Sequence, residues 1–179
     1  TYSDDRDGNA AQDHKNIYAR VATIDGHGRI GPFSTETQVS DVPAGEFTNN
    51  YAVPAVGPNG EIVITWQSPS GGQGLVNVRI DRDLNGLAGG LAFGADITAT
   101  TSNSGGFDFI PATPDRSTFA SPYIAYDTSG GAFNARLYLV YANETPDESD
   151  DFDIFLRTSL NDGASWSAPF CAKRPSSRQ

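Results

Sequence analysis

The residues in this sequence that are best suited to chemistry are three arginines, each of which ends a short apolar stretch. Arg20, Arg79 and Arg157 close the segments IYAR, VNVR and IFLR, and each stands before a turn rich in Asp, Asn and Gly. A guanidinium holds a carboxylate in a bidentate fork, so three convergent arginines would form a carboxylate site. The same residue at the same place in every repeat is explained more simply by a contact within the repeat. We therefore predict a structural role for these arginines.

Acidic segments make calcium a candidate ligand. Residues 81–86, DRDLNG, begin like a calcium-binding loop, but Ala92 stands at the twelfth position, where such a loop needs a bidentate glutamate. Residues 147–153, DESDDFD, and 4–7, DDRD, are denser in oxygen ligands. Solvated acidic loops are the favoured explanation for these two segments. We assign no metal ligand and no cofactor, and calcium stays the alternative.

Spacing in the sequence identifies no catalytic residue. His14 and His27 lie in polar segments with no Cys or second His nearby, which argues against a zinc site. Cys171 has no His partner that can be placed beside it, so a buried or incidental thiol is the simpler explanation.

Short strands are the elements that must position these residues. Runs of alternating apolar and polar side chains predict strands at 16–22, 36–39, 51–56, 61–67, 75–80, 95–99, 121–126, 135–141, 152–158 and 167–172. Tyr2 is expected to end a further strand, and residues 100–120 are expected to be mainly a long connection. The strands fall into three units, 1–42, 51–100 and 119–172, and the basic tail 173–179 is expected to be disordered.

A turn motif follows the third strand of each unit. It combines Ser or Thr, Asp or Asn, Gly and a closing Trp or Phe, with extra residues in two of the copies. Its members are Thr23, Asp25 and Phe33 in the first copy, Asp83, Gly90 and Phe93 in the second, and Ser159, Asn161, Asp162, Gly163 and Trp166 in the third. Gly supplies a positive φ and the Asp or Asn side chain accepts from backbone N–H groups. We expect the aromatic residue to pack back over the turn.

The three turns resemble the Asp-box, or BNR repeat, of the sialidase-like β-propellers, and the resemblance extends over most of the chain. It implies an all-β fold, a partial β-propeller of about two and a half four-stranded antiparallel blades. In that family the box joins the third and fourth strands of a blade, opposite the binding face, which implies a structural role for the box residues. Because a propeller closes with about four to eight blades, we expect an excerpt of a longer polypeptide, or self-association.

The resemblance leaves two functions open. The family binds its substrate with three arginines and uses a Tyr–Glu pair and an Asp as acid/base. Its Arg before a first-strand Ile-Pro is absent here, since Ser121 and Pro122 stand at that place with Arg116 five residues upstream. We therefore favour a non-catalytic extracellular module that binds glycan or protein through its loop face. A fragment of an exo-α-sialidase-like glycoside hydrolase is the alternative.

Composition limits the partners. The 179 residues carry a formal net charge of −10, with a pI near 4.4, and phosphate binding needs clustered Lys and Arg, so we expect no nucleic-acid partner. No stretch reaches the ~18 apolar residues of a membrane helix. The acidity favours solubility outside the cell, so we expect a secreted or cell-surface protein. The single Cys171 rules out an intrachain disulfide framework and fits a bacterial secreted protein as well as a cytosolic one.

Overall fold

The structure is a computed structural model, and it describes residues 1–4, 15–41, 48–69, 73–86, 88–111, 113–149 and 151–172. Throughout these ranges the chain is all-β, with its strands arranged in four antiparallel sheets. None of the described residues belongs to a helix of the length and apolar character needed to cross a membrane. The basic tail 173–179 and residues 5–14 lie outside the described residues.

Three of the sheets stack on one another, and the fourth is a hairpin. Sheet I has the order β1 (Tyr2–Asp4), β2 (Asn16–Ala19), β3 (Thr37–Gln38). Sheet II has the order β4 (Asn50–Val56), β5 (Ile62–Ser68), β6 (Val76–Asp83), β7 (Ile97–Ser102). The hairpin pairs β8 (Gly105–Ile110) with β9 (Thr113–Phe119). Sheet III has the order β10 (Tyr123–Tyr126), β11 (Leu137–Glu144), β12 (Phe152–Ser159), β13 (Phe170–Cys171).

The hairpin corrects the prediction that residues 100–120 are mainly a connection. Its sequence hides the strand pattern, because glycines and prolines interrupt GGFDFI and TPDRSTF and most of β9 is exposed. The pairing is irregular beside Gly105. There the Asp108 carboxylate accepts from the N–H of Gly105 at 2.7 Å and, more weakly, of Gly106 at 3.4 Å. A side chain therefore replaces part of the backbone ladder.

The antiparallel order divides the loops of sheets II and III between two ends. One end, called the turn end, carries the turns β4–β5, β6–β7, β10–β11 and β12–β13. The opposite end, called the loop end, carries the loops β5–β6 and β11–β12. Contacts between the sheets align these ends: Ser102 Oγ donates to Ala142 O at 2.8 Å and the Asn103 N–H to Asn143 Oδ1 at 2.8 Å, both at the loop end. The hairpin leaves β7 at the loop end as well.

Two apolar clusters join the three stacked sheets. On one face of β5, Ile64 and Trp66 pack with Ile17 of sheet I. On the other face, Val63 packs with Leu139 of sheet III. Every residue of β5 is buried, because a neighbouring sheet covers each of its faces. Burial of one such aliphatic side chain contributes about 1.5–3 kcal/mol, so the stacking of sheets dominates the core.

Candidate functional site

The third turn, residues 159–166 between β12 and β13, is closed by its own side chains. The Ser159 hydroxyl accepts from the Gly163 N–H at 2.9 Å and donates to Asn161 Oδ1 at 2.9 Å. The same Asn161 oxygen accepts from the Ser165 N–H at 2.9 Å. Asp162 and Gly163 have φ angles of 54° and 84°. The turn thus satisfies its backbone N–H groups with Ser and Asn side chains and has two residues in the left-handed region.

The third turn also packs against sheet II. A Cβ added to Gly163 would collide with Cδ1 of Ile80, which is fully buried in β6. Trp166 is half-buried against the same apolar cluster. Its indole Nε1 is buried and makes no hydrogen bond with any residue that the structure describes. The aromatic ring therefore contributes packing rather than a hydrogen bond.

Two polar contacts hold the third turn beside its neighbours. Arg82 Nη1 donates to Asn161 O at 3.1 Å, which links β6 to the turn. The Tyr126 hydroxyl donates to Asp162 Oδ1 at 2.9 Å. Burial of the phenol, together with this hydrogen bond, raises the pKa of Tyr126. The phenol therefore keeps its proton and remains a donor at neutral pH.

The second turn, residues 84–96 between β6 and β7, uses a buried carboxylate. Asp83 accepts from the Asn85 N–H at 3.2 Å and, through its other oxygen, from the Ala92 N–H at 2.6 Å. Phe93 is half-buried against the cluster shared with sheet I. Gly90 is exposed and does not have the expected positive φ. The long turn is thus closed by Asp83 rather than by a left-handed glycine at position 90.

Three further aspartates, Asp41, Asp81 and Asp96, lie in or beside the second turn. Asp81 Oδ1 accepts from the Gly94 N–H at 3.1 Å, whereas Asp81 Oδ2 is buried with no hydrogen-bond partner among the described residues. Asp41 and Asp96 exchange hydrogen bonds, each backbone N–H donating to the other carboxylate at 3.1 Å. Burial raises the pKa of Asp81. Burial also raises the pKa of Asp96 to about 7, and the negative charges of Asp41 and Asp81 add to this shift. The hydrogen bond from the Asp41 N–H and the positive charge of Arg79 oppose it.

The first turn, residues 23–33 between β2 and β3, is held by one aspartate. Asp25 Oδ1 accepts from the N–H groups of His27 at 2.8 Å and Arg29 at 2.9 Å. Thr23 contributes its backbone oxygen and is exposed. The left-handed glycine of this turn is Gly28, with φ 79°.

Phe33 contradicts the expectation that each closing aromatic residue packs over its turn. It is 65% exposed, whereas Trp166 and Phe93 are half-buried. Those two residues pack into the clusters that join their own sheet to the preceding sheet. Phe33 belongs to neither cluster; it lines a cavity of about 700 Å³ that the first turn forms with Gly86 and Gly89 of the second turn.

The three arginines make equivalent contacts within three different sheets. Each donates to the last strand of its own sheet, or to the segment that leads into that strand. The pairs are Arg20 Nη2 with Glu36 Oε2 at 3.3 Å, Arg79 Nη1 with Thr98 Oγ1 at 2.9 Å, and Arg157 Nη1 with Ser167 O at 3.2 Å. This geometry fits a contact within the repeat rather than a shared carboxylate site.

The candidate metal ligands are not brought together. No three His, Cys, Asp or Glu side chains in the described ranges are arranged to hold a metal ion. His27 is exposed and Cys171 is half-buried. His14 and parts of the acidic segments 4–7 and 147–153 lie outside the described residues, so solvated loops stay the prediction there and calcium stays the alternative.

A cavity of about 340 Å³ opens between β4, the hairpin and the start of sheet III. Its most distinctive feature is an aromatic pair, Tyr51 and Phe119, whose ring centroids are 4.9 Å apart at an interplanar angle of 56°. Burial raises the pKa of the Tyr51 phenol, and the nearby Arg116 guanidinium opposes this shift only in part. The remaining lining residues are Ile110, Thr113, Ser117, Thr118 and Ser121.

Backbone strain marks this cavity. Tyr51 and Ser121 have φ angles of 62° and 40° although neither is glycine. Such conformations cost about 1–3 kcal/mol each and cluster at ligand-binding sites. The lining combines aromatic faces, hydroxyl groups and one guanidinium. This combination suits a ligand with an apolar face and a rim of hydroxyl groups.

A second depression, of about 190 Å³, lies where the hairpin meets the loop after β11. It is bordered by Asp108, Glu144 and Glu148, together with Gln73 and Phe109. Glu144 Oε2 accepts from the Glu148 N–H at 3.0 Å. Its carboxylates make this depression unfavourable for an anionic ligand, in contrast to the cavity that contains Arg116.

Sequence reasoning found Arg116 but gave it no aromatic partner. Tyr51 is more than sixty positions away from Arg116 in the chain, and only the hairpin brings the two together. The one available signal is the pair Thr118 and Phe119, whose residue types favour a strand. No model of a known protein family matches the chain, and a search of the curated proteins found no match.

Proposed function

We propose that this chain is part of an Asp-box β-propeller, a non-catalytic extracellular module that binds glycan through the cavity at its loop end. The propeller assignment is supported by two four-stranded sheets in chain order that stack face to face. It is also supported by the position of the motif turns, which join the last two strands of each stacked sheet. The extracellular location is inferred from the net charge of −10 alone.

The observation that carries the glycan proposal is the pairing of Tyr51 and Phe119 beside Arg116 in one cavity. A sugar ring has apolar C–H faces and a hydroxyl rim. The aromatic rings match the faces, and Arg116 with the Ser and Thr hydroxyls matches the rim. The two strained residues fix the wall of the cavity before a ligand arrives, which lowers the entropic cost of binding.

Binding is favoured over hydrolysis because of the residues that line the cavity. Glycoside hydrolysis uses a pair of carboxylates, or a tyrosine nucleophile with an acidic partner. The described lining residues include no Asp or Glu. The proximity of Tyr51 and Arg116 is the observation that keeps a sialidase-like hydrolase as the second candidate.

Glycan binding can be tested by screening the chain on a glycan array and measuring the hits by calorimetry. We expect Tyr51→Ala and Arg116→Gln each to weaken binding at least tenfold, which corresponds to about 1.4 kcal/mol. Phe133→Ala and Arg29→Gln are matched controls, because both residues are exposed in turns away from the cavity. Equal losses in the variants and the controls would place the ligand elsewhere.

The second candidate has its own assay. A fluorogenic sialoside should remain intact when incubated with the chain. Turnover that disappears in Tyr51→Phe, which lacks the phenol, would replace the binding proposal with the hydrolase.

A further inference from the structure

Two asparagines in this chain are followed by glycine, and both stand in turns. Asn59 and Gly60 lie between β4 and β5, and Asn85 and Gly86 lie in the second turn. Both asparagines are exposed. An asparagine before glycine can lose its side-chain amide, because glycine has no Cβ to hinder attack by its own backbone nitrogen on that side chain. The two turns therefore offer the same reaction in two different settings.

Three hydrogen bonds restrain Asn59 and Gly60. The Glu61 carboxylate accepts from Asn59 Nδ2 at 2.7 Å and from the Asn59 N–H at 2.9 Å. The Gly60 N–H, which would supply the attacking nitrogen, donates to Gly57 O at 3.1 Å. Burial raises the pKa of Glu61, but the hydrogen bonds from Asn59 and from the Glu61 N–H lower it by more. The carboxylate is therefore ionised at neutral pH and keeps both of its contacts with Asn59.

The side chain of Asn85 has no comparable restraint. The Asn85 N–H donates to Asp83 Oδ1 at 3.2 Å, and Asn85 O accepts from the Ala88 N–H at 2.7 Å. Within the described part of the chain, neither the Asn85 side chain nor the Gly86 N–H makes a hydrogen bond. The second turn thus fixes the backbone of Asn85 and leaves the two reacting groups free.

We propose that Asn85 is a site of spontaneous covalent modification, deamidation, and that Glu61 protects Asn59 from the same reaction. The Gly86 nitrogen loses its proton and attacks Cγ of Asn85, and Nδ2 leaves as ammonia, which closes a cyclic succinimide. Water then opens the ring. Cleavage between the nitrogen and Cγ gives aspartate, whereas cleavage between the nitrogen and the backbone carbonyl carbon gives isoaspartate. Water is the co-reactant, and no oxidant or reductant takes part.

Both products disturb the second turn. Each adds a carboxylate that is ionised at neutral pH, beside Asp81 and Asp83, which are each 1% exposed, and like charges at short distance disfavour one another. Isoaspartate also lengthens the backbone between positions 85 and 86. Gly86 lies so close to Ile62 that even an added Cβ would collide with it, so the longer backbone must shift the turn. We therefore expect deamidation to destabilise the folded chain, and isoaspartate to do so more than aspartate.

Incubation of the full chain in mildly alkaline buffer, followed by peptide mapping with mass spectrometry, tests the site. Exchange of the side-chain NH2 for OH changes the mass of the peptide, and its aspartate and isoaspartate forms separate by chromatography. The chain unfolded in guanidinium chloride is the reference, because both asparagines are free of tertiary contacts there. Relative to this reference, we expect folded Asn59 to react at least about tenfold more slowly than Asn85, because its hydrogen bonds must open first.

Two variants separate the roles of the residues, with folding checked by circular dichroism. Glu61→Ala removes the acceptor of two Asn59 hydrogen bonds, so Asn59 should react severalfold faster while the rate at Asn85 stays the same. Asn85→Gln keeps an exposed amide but places it one bond farther from the Gly86 nitrogen, so loss of ammonia at position 85 should stop. Aged wild-type chain should melt at a lower temperature than fresh chain, and aged Asn85→Gln should not.

The comparison between the two asparagines decides the outcome. Equal relative rates in the folded chain, or a faster reaction at Asn59, would show that the turns do not select Asn85 and would overturn the proposal. The same conclusion would follow if Asn85 stayed intact in the folded chain while it reacted in the unfolded reference. An unchanged rate at Asn59 in Glu61→Ala would refute the protective role of Glu61.

Discussion

Replacement of Gly163 by alanine tests whether the third turn is pinned against sheet II. Two separate costs follow from the structure. Gly163 has φ 84°, and an L-residue in the left-handed region costs about 1–2 kcal/mol. The new Cβ would also collide with the buried Ile80, and overpacking of a core costs about 1–3 kcal/mol. We therefore expect the free energy of unfolding to fall by about 2–5 kcal/mol in total.

Two other glycines separate these costs. Gly28 has nearly the same φ, 79°, but an added Cβ would meet nothing within 4 Å, so Gly28→Ala should lose only the conformational part. Gly90 has neither a left-handed φ nor a near neighbour. Gly90→Ala should be neutral or stabilising by about 0.4–1 kcal/mol, because alanine restricts the unfolded chain.

Urea denaturation followed by tryptophan fluorescence measures all three variants, and thermal melts provide a second readout. For a chain of this size, 1 kcal/mol corresponds to about 2–4 °C in Tm. The informative quantity is the difference between Gly163→Ala and Gly28→Ala. If the two variants lose the same stability, Ile80 moves aside freely and the third turn is not packed as described.

The same measurements test four further changes. Trp166→Ala should cost about 2–4 kcal/mol, because the half-buried indole leaves a partial cavity. Phe33→Ala should cost less than about 0.5 kcal/mol at low protein concentration, because the ring is exposed. Ser159→Ala should cost about 1–3 kcal/mol, since the buried Gly163 N–H loses its acceptor. The pKa of Asp96 is raised from 3.8 to about 7 on folding, so the folded state binds more protons and stability should fall as pH rises between these values. Asp96→Asn should flatten that dependence, and an unchanged slope would assign it to another group.

The sequence predicts the strands of sheets II and III well where apolar residues alternate. Val76, Val78 and Ile80 mark β6, and Leu137 and Leu139 mark β11. The prediction ends β6 at Ile80, but the strand runs to Asp83. A hydropathy pattern does not predict strand residues at Asp81 and Asp83, because aspartates are usually exposed. Their burial depends on hydrogen bonds from backbone N–H groups that only the folded turn supplies.

The candidate site could not be predicted because it depends on contacts between distant segments. Tyr51 lies near the start of β4 and stays 43% exposed, and only the hairpin brings Phe119 beside it. Phe33 shows the opposite case. Its motif matches those of Phe93 and Trp166, yet its burial depends on a neighbouring sheet and not on its own turn. A local motif therefore predicts the shape of the turn, whereas the role of its aromatic residue depends on what lies next to it.

The second and third turns satisfy their backbone N–H groups with different side chains, charged in the second turn and neutral in the third. The third turn satisfies its N–H groups with the neutral side chains of Ser159 and Asn161. The longer second turn uses the carboxylates of Asp81 and Asp83, which are buried in β6. A buried carboxylate is costly unless it is hydrogen-bonded, and its charge disfavours ionisation of a neighbour. Burial of Asp96 itself is the main reason that its pKa is raised, and the charges of Asp41 and Asp81 add to the shift. The exchange of hydrogen bonds between Asp96 and Asp41 joins sheets I and II. Ionisation of Asp96 should therefore weaken the junction between sheets I and II first, while the junction between sheets II and III, closed by neutral groups and the Arg82 contact, keeps its stability.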